Sequence, residues 1–238
     1  MKKFKTLDSI IIRSKNEEKW LGSCLRAISN QSYRNFEIIL VDNQSRDKTK
    51  ELSEKYLSKI INIKKYKPGK SINMGVQNSS GKIIVILSAH CIPTNKDWLS
   101  NLIKPLKNKK IAGVYGRQEP LSYSSDNDKR DLINTFGLDS FLQKKDPFFH
   151  NANSAFLKST WNKFKFDENV DSLEDRLWGQ KIISQGLKIY YEANASVYHY
   201  HGINQNLNPK RLRNVIKTLS NYDSNKNKLD KLKKLNII

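Results

Sequence analysis

Two adjacent carboxylates, Glu174 and Asp175, begin a segment in which Leu173, Leu177 and Ile182 recur at helical spacing. Like charges this close raise each other's pKa, and a carboxyl group with a raised pKa is suited to general-base chemistry near neutral pH. Acidic residues are also favoured in the first turn of an ordinary helix, because they face the positive end of its dipole. The pair is therefore a candidate acid–base site, and a plain helix start is the alternative.

A histidine stands where a buried strand is expected to end. The apolar run KIIVIL at 82–87 predicts the strand, and Ser88, Ala89 and His90 follow it. A hydroxyl and an imidazole are poor ligands for Mg²⁺, whereas Mn²⁺ and more imidazole-tolerant metals accept histidine better. The alternative is a hydrogen-bonded histidine at the end of a strand.

The elements that must position these residues alternate between strand and helix in the first half of the chain. Strands are predicted at 9–13, 36–42, 59–66 and 82–87, and helices at 17–31, after Asp47, at 69–81 and at 96–107, where Pro105 should kink or end the helix. This alternation predicts a parallel sheet with helices on both faces, an α/β fold. Ligands of such sheets bind at the carboxyl ends of the strands, so the polar residues there are the site candidates.

The second half is less regular. Strands are predicted at 111–120, 151–158, 187–192 and 195–202, and a helix at 173–186 with Gly186 as its C-cap. Residues 118–148 suggest a loop with a short helix, and the stretch from Pro209 suggests a basic helix.

Composition limits the class of protein. The 238 residues carry a net charge of +20, which favours an anionic partner, although many of the lysines can be solvated surface. We find no apolar run of about 20 residues, and Ser9 to Ile12 is too short for a signal-peptide core. Two cysteines, Cys24 and Cys91, do not form a disulfide framework, so we expect a cytoplasmic protein.

Five segments, in order, resemble the family 2 glycosyltransferases with the GT-A fold. They are SIIIRSKNEEKWLGSCLRAISNQSY, FEIILVDNQSRDKT, GKSINMGVQNSSGKIIVILSAHCIPTNKDWL, NANSAFLK and FDENVDSLEDRLWGQKIISQGLKIYYEANASVYHYHG, which together cover roughly residues 8 to 202. The resemblance implies a Rossmann-like, mostly parallel sheet. It also implies a GT-A domain at 1–205, with a nucleotide-binding half at 1–117 and an acceptor-binding half at 118–205, before a basic helical tail at 206–238.

The resemblance also implies roles for individual residues. Asp175 of LEDRLWGQ would be the general base, with Glu174 beside it. Acceptor binding is expected at Asn151, Asn153 and Trp178, although tryptophans such as Trp161 and Trp178 are more often core residues. The nucleotide-binding residues implied are Arg13, Ser14, Asn16, Glu17, Asp42, Asn43, Ser45, Lys70, Ser88, Ala89 and His90.

The Ser-Ala-His sequence at 88–90 stands where the family usually has Asp-x-Asp, which holds Mg²⁺ or Mn²⁺ on the donor pyrophosphate. Three outcomes are open. A divalent cation binds His90 together with His199 or His201; or His90, Lys70 and cations of the tail hold the phosphate without metal; or the chain has lost activity.

The function implied is inverting transfer of a sugar from a nucleotide-sugar donor to a hydroxyl of a saccharide or lipid-linked acceptor, in surface polysaccharide or glycan biosynthesis. The alternatives are a catalytically inactive relative that binds a nucleotide or a partner enzyme, and a basic nucleic-acid-binding protein, for which we find no recognition motif. The basic tail carries Leu212, Val215, Ile216 and Leu219 at helical spacing, so we expect either peripheral contact with the anionic inner face of the membrane or a helix packed on the domain. Oligomerisation is left open.

Overall fold

The computed structural model describes residues 7–56 and 59–220 of the chain. Its strands are β1 (Asp8–Ser14), β2 (Phe36–Asp42), β3 (Lys59–Asn62), β4 (Ile83–Ser88), β5 (Cys91–Pro93), β6 (Ile111–Pro120), β7 (Phe141–Gln143), β8 (Asn153–Leu157) and β9 (Lys188–His199). Its helices are α1 (Glu18–Ser29), α2 (Thr49–Glu54), α3 (Pro68–Gln77), α4 (Trp98–Ile103), α5 (Asp126–Thr135), α6 (Lys158–Lys163), α7 (Glu174–Ser184) and α8 (209–220).

The described strands form one sheet in the order β3-β2-β1-β4-β8-β6-β9-β5, with β7 paired to β9. Strands β1 to β4 are parallel, as the strand–helix alternation predicts. Ile10, Ile11 and Ile12 of β1 are fully buried, because helices cover both faces of this half of the sheet. The predicted α/β fold is confirmed, although β3 ends at Asn62 rather than at residue 66.

The second half of the sheet is mixed. β8 runs antiparallel to both β4 and β6, whereas β9 runs parallel to β6. The two strands predicted at 187–192 and 195–202 are one strand, β9, whose pairing with β6 shifts register between Gly116 and Gln118. The predicted division of the domain at residue 117 falls inside β6, and both halves share the sheet.

Two apolar layers pack against the two faces of the sheet. One contains Leu21 and Leu25 of α1 and Leu102 of α4. Of the two outcomes predicted for Pro105, the helix ends: α4 stops at Ile103, and Pro105 lies in the 3₁₀ turn Lys104–Lys107 that follows. The other contains Ile72 of α3 and Ile182 of α7. Helices on both faces leave the short polar loops at the strand ends free to form a site.

Trp161 and Trp178 belong to the second apolar layer. Trp178 is 2% exposed and packs against Phe149, Phe156 and Phe166, and its indole N–H donates to the carbonyl of Phe164. The predicted acceptor-binding role of Trp178 is therefore wrong for this structure, because the side chain is buried in the core and lines neither cavity of the cleft described below.

The tail predicted at 206–238 is helical at 209–220, and residues 221–238 lie outside the described part. In the described ranges, none of the helices combines the length and the apolar character that a membrane crossing requires.

Candidate functional site

The carboxyl ends of β1, β2 and β4 meet at one edge of the sheet. Arg13 of β1 pairs in register with Ser88 of β4, and Ser14 pairs with Asp42 of β2. β9 is parallel to β6 and ends at His199, which is paired in register with Cys91 directly after His90. The sheet topology thus brings the ends of strands that are distant in sequence to one edge.

Two adjoining cavities open at this edge. The acid cavity, of about 330 Å³, is lined by residues that include Arg13, His90, Glu174, Asp175, His199, His201 and Arg211. The loop cavity, of about 340 Å³, adds Ser14, Glu17 and Asn43. Arg13, Tyr66, Ser88 and His90 line both cavities, so the two form one continuous cleft.

The carboxylate pair opens α7 and faces the acid cavity. Glu174 Oε1 accepts a hydrogen bond from Arg13 Nη1 at 3.3 Å, and Arg13 Nη2 donates to the carbonyl of Asn151 at 3.2 Å. Asp175 Oδ2 accepts from the backbone N–H of Asn151 at 3.2 Å. Leu173, just before the pair, has φ of 61°, a left-handed conformation that is unusual for a bulky residue. Asn151 and Arg13 therefore fix the two carboxyl groups from the sheet side.

Burial raises the pKa of both carboxyl groups. For Glu174 the repulsion from Asp175 adds to the effect of burial, while the Arg13 guanidinium opposes it. For Asp175 the hydrogen bonds from the backbone N–H groups of Asn151 and Arg176 oppose the rise of its pKa. A carboxyl group with a raised pKa that faces a cavity is suited to accept a proton from a bound hydroxyl.

His90, His199 and His201 form a cluster, which we call the histidine cluster, with one ring nitrogen of each within 4.8 Å of the others. His90 Nδ1 lies 2.8 Å from Glu17 Oε1, and His201 Nδ1 lies 3.0 Å from the carbonyl oxygen of Gly202. His199 Nδ1 lies 2.7 Å from Gln118 Oε1. Burial and the neighbouring imidazoles lower the pKa of His199 far below its usual range and that of His201 to about 4. The rings of His199 and His201 are therefore neutral near pH 7.

The cluster fits a divalent metal ion that accepts imidazole. His199 Nε2 is buried and has no hydrogen-bond partner within the described ranges, so a lone pair there lacks the partner that buried polar atoms normally have. Three nitrogens without a ligating carboxylate are a poor match for Mg²⁺, which prefers oxygen.

Asp42 is fully buried and organises the loop after β2 instead of lining the cleft. Its carboxylate accepts hydrogen bonds from the hydroxyls of Ser14 and Ser45 and from the backbone N–H of Ser45. Asn16, with φ of 54°, and Ser45 line a further, basic cavity with Lys15, Arg46, Lys50 and Lys64, and Lys15 also lines the loop cavity. Asp42 thus holds together the end of β1 and the loop that follows β2.

The predicted site residues divide into two groups. The structure brings Arg13, Ser14, Glu17, Asn43, Ser88, His90, Glu174, Asp175, His199 and His201 to the cleft. Lys70 is exposed on α3 and lines neither cavity of the cleft, and Ala89 is buried in the core. Asn153 is also buried, where its amide bonds the indole of Trp98 and the carbonyls of Arg117 and Ala195.

Three polar residues in or beside the cleft were not predicted as site residues from the sequence. Gln118 bridges two histidines, because its Oε1 contacts His199 and its Nε2 lies 2.9 Å from His150 Nδ1. Burial lowers the pKa of His150 to about 4. Arg211 enters the acid cavity from α8, with its Nε–H donating to the carbonyl of Ile203. Only Arg211 had a signal in the sequence, the general excess of cations in the tail.

Comparison with known proteins identifies this architecture. The family model of glycosyl transferase family 2 matches residues 9–163. The chain is 30% identical over 215 residues to a dolichyl N-acetyl-alpha-D-glucosaminyl phosphate 3-beta-D-2,3-diacetamido-2,3-dideoxy-beta-D-glucuronosyltransferase of Methanococcus voltae, covering 81% of this chain and 66% of the relative. It is 27% identical to the O-antigen chain rhamnosyltransferase RfbN of Salmonella typhimurium, and the match covers 81% of this chain and 66% of that relative.

Solved structures share the fold. The mannosyltransferase PcManGT from Pyrobaculum calidifontis, in complex with GDP-Man and Mn²⁺, superposes with a TM-score of 0.64 at 17% identity, over 83% of this chain and 58% of that one. Residues 1–349 of TarS from Staphylococcus aureus, in complex with UDP, superpose with a TM-score of 0.63 at 18% identity. This match covers 80% of this chain and 59% of that one. The chain thus spans somewhat under two thirds of the length of these proteins. With a family model that matches most of its length and a sheet and cleft of this form, the chain belongs to glycosyl transferase family 2.

Proposed function

We propose that the protein is an inverting glycosyltransferase that moves a sugar from a nucleotide-sugar donor to a hydroxyl of a saccharide or lipid-linked saccharide. The observation that carries this proposal is the cleft itself. A carboxylate pair with raised pKa, a histidine cluster and Arg211 line one cavity at the carboxyl edge of a family 2 sheet.

The donor nucleotide occupies the loop cavity beside Ser14, Glu17 and Asn43, and its phosphates extend toward His90 and Arg211. The acceptor oxygen attacks the anomeric carbon from the face opposite the phosphate, and the carbon–oxygen bond to phosphate breaks with its electron pair leaving on the phosphate. Asp175 takes the proton of the attacking hydroxyl. Glu174, held by Arg13, keeps a second carboxyl group beside the base.

The Ser-Ala-His sequence at 88–90 takes the place of the family's Asp-x-Asp. A divalent cation on His90, His199 and His201 would supply positive charge for the departing phosphate. Arg211 lines the same cavity and adds a fixed positive charge to it. Transfer without metal, with His90 and Arg211 on the phosphate, is the competing arrangement.

The relatives support acceptors that are growing glycans. The names of the two curated relatives describe transfer to a dolichyl-linked sugar phosphate and extension of O-antigen chains. We infer a cytoplasmic protein that binds the inner membrane face through α8. In this helix Leu212, Ile216 and Leu219 are exposed among lysines and arginines.

A thermal-shift screen of UDP, GDP, CMP and dTDP, each with Mn²⁺, Mg²⁺ or EDTA, tests the donor site, because a ligand that binds the folded state raises the melting temperature. We expect one nucleotide to give a clear shift and its sugar conjugate to be hydrolysed slowly by the purified protein. Binding without hydrolysis or transfer would favour the inactive relative, and no shift with any nucleotide would refute the donor site.

A further inference from the structure

We infer that the histidine cluster is a three-imidazole site selective for transition metals such as Zn²⁺ and Co²⁺ over Mg²⁺. The hydrogen bonds of the three rings indicate which nitrogen of each carries the proton. Glu17 Oε1 and the carbonyl oxygen of Gly202 accept hydrogen bonds, so the Nδ1 atoms of His90 and His201 that face them carry the protons. The lone pairs of these two rings are therefore on Nε2.

The third ring is oriented in the same way through Gln118. The backbone N–H of Ala152 points at His150 Nδ1 at 3.4 Å, which places a lone pair on that nitrogen. The Gln118 side-chain NH₂ then donates to His150 Nδ1, and its oxygen faces His199. His199 must donate from Nδ1, and its lone pair is on the buried Nε2 that has no other partner in the described residues.

In all three histidines Nδ1 thus donates a hydrogen bond to an oxygen, and Nε2 is free to bind a metal ion. This is the arrangement found around metal-bound histidines, where a carboxylate, amide or carbonyl accepts the distal N–H and fixes the ring. The rings lie close together, with centroid separations of 5.1 Å for His90–His199 and 4.2 Å for His199–His201. The edge-on ring of Tyr200, 5.3 Å from His90, supports the cluster from outside.

The donor set determines the ion. Three neutral nitrogens favour Zn²⁺, Co²⁺ and Ni²⁺, whereas Mg²⁺ and Ca²⁺ prefer carboxylates and water. Glu17 contacts His90 through the hydrogen bond to Nδ1, so it acts here as a positioning residue for this ring. The role of the ion at the donor phosphate rests on the proposed function, but its binding to the free protein does not.

The test is metal titration of the tag-free protein after removal of metals with EDTA, followed by calorimetry and by absorption spectroscopy with Co²⁺. We expect one Zn²⁺ or Co²⁺ per chain, visible d–d bands for Co²⁺, and an affinity at least about 100-fold above that for Mg²⁺, with Mn²⁺ between them. His90→Gln and His201→Gln should each abolish the Co²⁺ bands, and circular dichroism verifies that the variants fold.

Two further variants separate a designed site from chance binding to histidine. Glu17→Gln should weaken Co²⁺ binding by about 10- to 100-fold and keep the stoichiometry. His150→Asn changes the fourth histidine of the chain, which lies outside the cluster but orients Gln118 against His199, and should weaken Co²⁺ binding while leaving one bound ion. Equal affinity for Mg²⁺ and Zn²⁺, or Co²⁺ bands that survive His90→Gln and His201→Gln, would overturn the inference. Because no nucleotide is present, failure here leaves the thermal-shift result for the donor site unaffected.

Discussion

Asp175 is the residue whose change should affect turnover most directly. Asp175→Asn keeps the shape of the side chain and removes its capacity to accept a proton, so we expect sugar transfer to fall by about 10²- to 10⁴-fold. The affinity for the nucleotide, measured from the melting-temperature shift, should stay within twofold of the wild-type value. A variant that keeps more than half of the transfer rate would exclude Asp175 as the base.

The same carboxyl group should give the protein a characteristic pH dependence of stability. Burial raises the pKa of Asp175 in the folded state. The contribution of this group to stability is therefore complete at low pH and is lost as pH rises through the raised pKa. Asp175→Asn should melt at a higher temperature than the wild type at pH 8, and the difference should shrink toward pH 4. Thermal denaturation of both proteins from pH 4 to pH 8 measures this difference in melting temperature. A difference that does not change with pH would contradict the prediction.

At the scale of elements, α3 holds the loop that leads into the carboxylate pair. Asn73 bonds the indole of Trp161 and both backbone groups of Phe166, and Lys67 Nζ donates to Asp171 at 2.5 Å. A Cβ on Gly69 would lie 2.0 Å from the carbonyl oxygen of Asp167. The close approach of α3 to this loop therefore requires glycine at position 69.

Gly69→Ala should lower the free energy of unfolding by about 1–3 kcal/mol, because the helix and the loop must separate. The transfer rate should fall as well, since the loop positions Glu174. Gly22→Ala in α1 is the matched control, because its Cβ would meet nothing within 4 Å, and it should raise stability by about 0.5–1 kcal/mol. Chemical denaturation measures the free energy of unfolding of both variants. Equal effects of the two substitutions would contradict the requirement for glycine at position 69.

Elements with a clear periodicity could be predicted from the sequence, and the contacts between distant elements could not. The apolar runs of β1, β2 and β4 predicted both the strands and the edge at which Arg13 and His90 lie. Asn194 interrupts the apolar pattern of β9, which suggested two strands where one continues. Gln118 looked like an ordinary strand residue, because its two histidine partners are 32 and 81 residues away.

At the scale of the whole molecule, charge and exposed apolar surface coincide at α8. We expect the protein, with its net charge of +20, to sediment with phosphatidylglycerol vesicles and to dissociate as salt rises. Ile216→Glu should weaken the association, since this side chain is 55% exposed on α8. Ile133→Glu makes the same change at a residue that is 64% exposed on α5, and should have little effect. Equal binding to uncharged phosphatidylcholine vesicles would contradict the proposal.

The Asp128 carboxylate of α5 accepts the backbone N–H groups of Gly202 and Asn206, which ties the segment after β9 to a helix some 75 residues earlier. His201 precedes this segment in the sequence, and Arg211 follows it. Both side chains line the acid cavity, so this contact with Asp128 helps to position them. Removal of the Asp128 carboxylate would therefore loosen the segment between two side chains of the acid cavity, although Asp128 itself does not line that cavity.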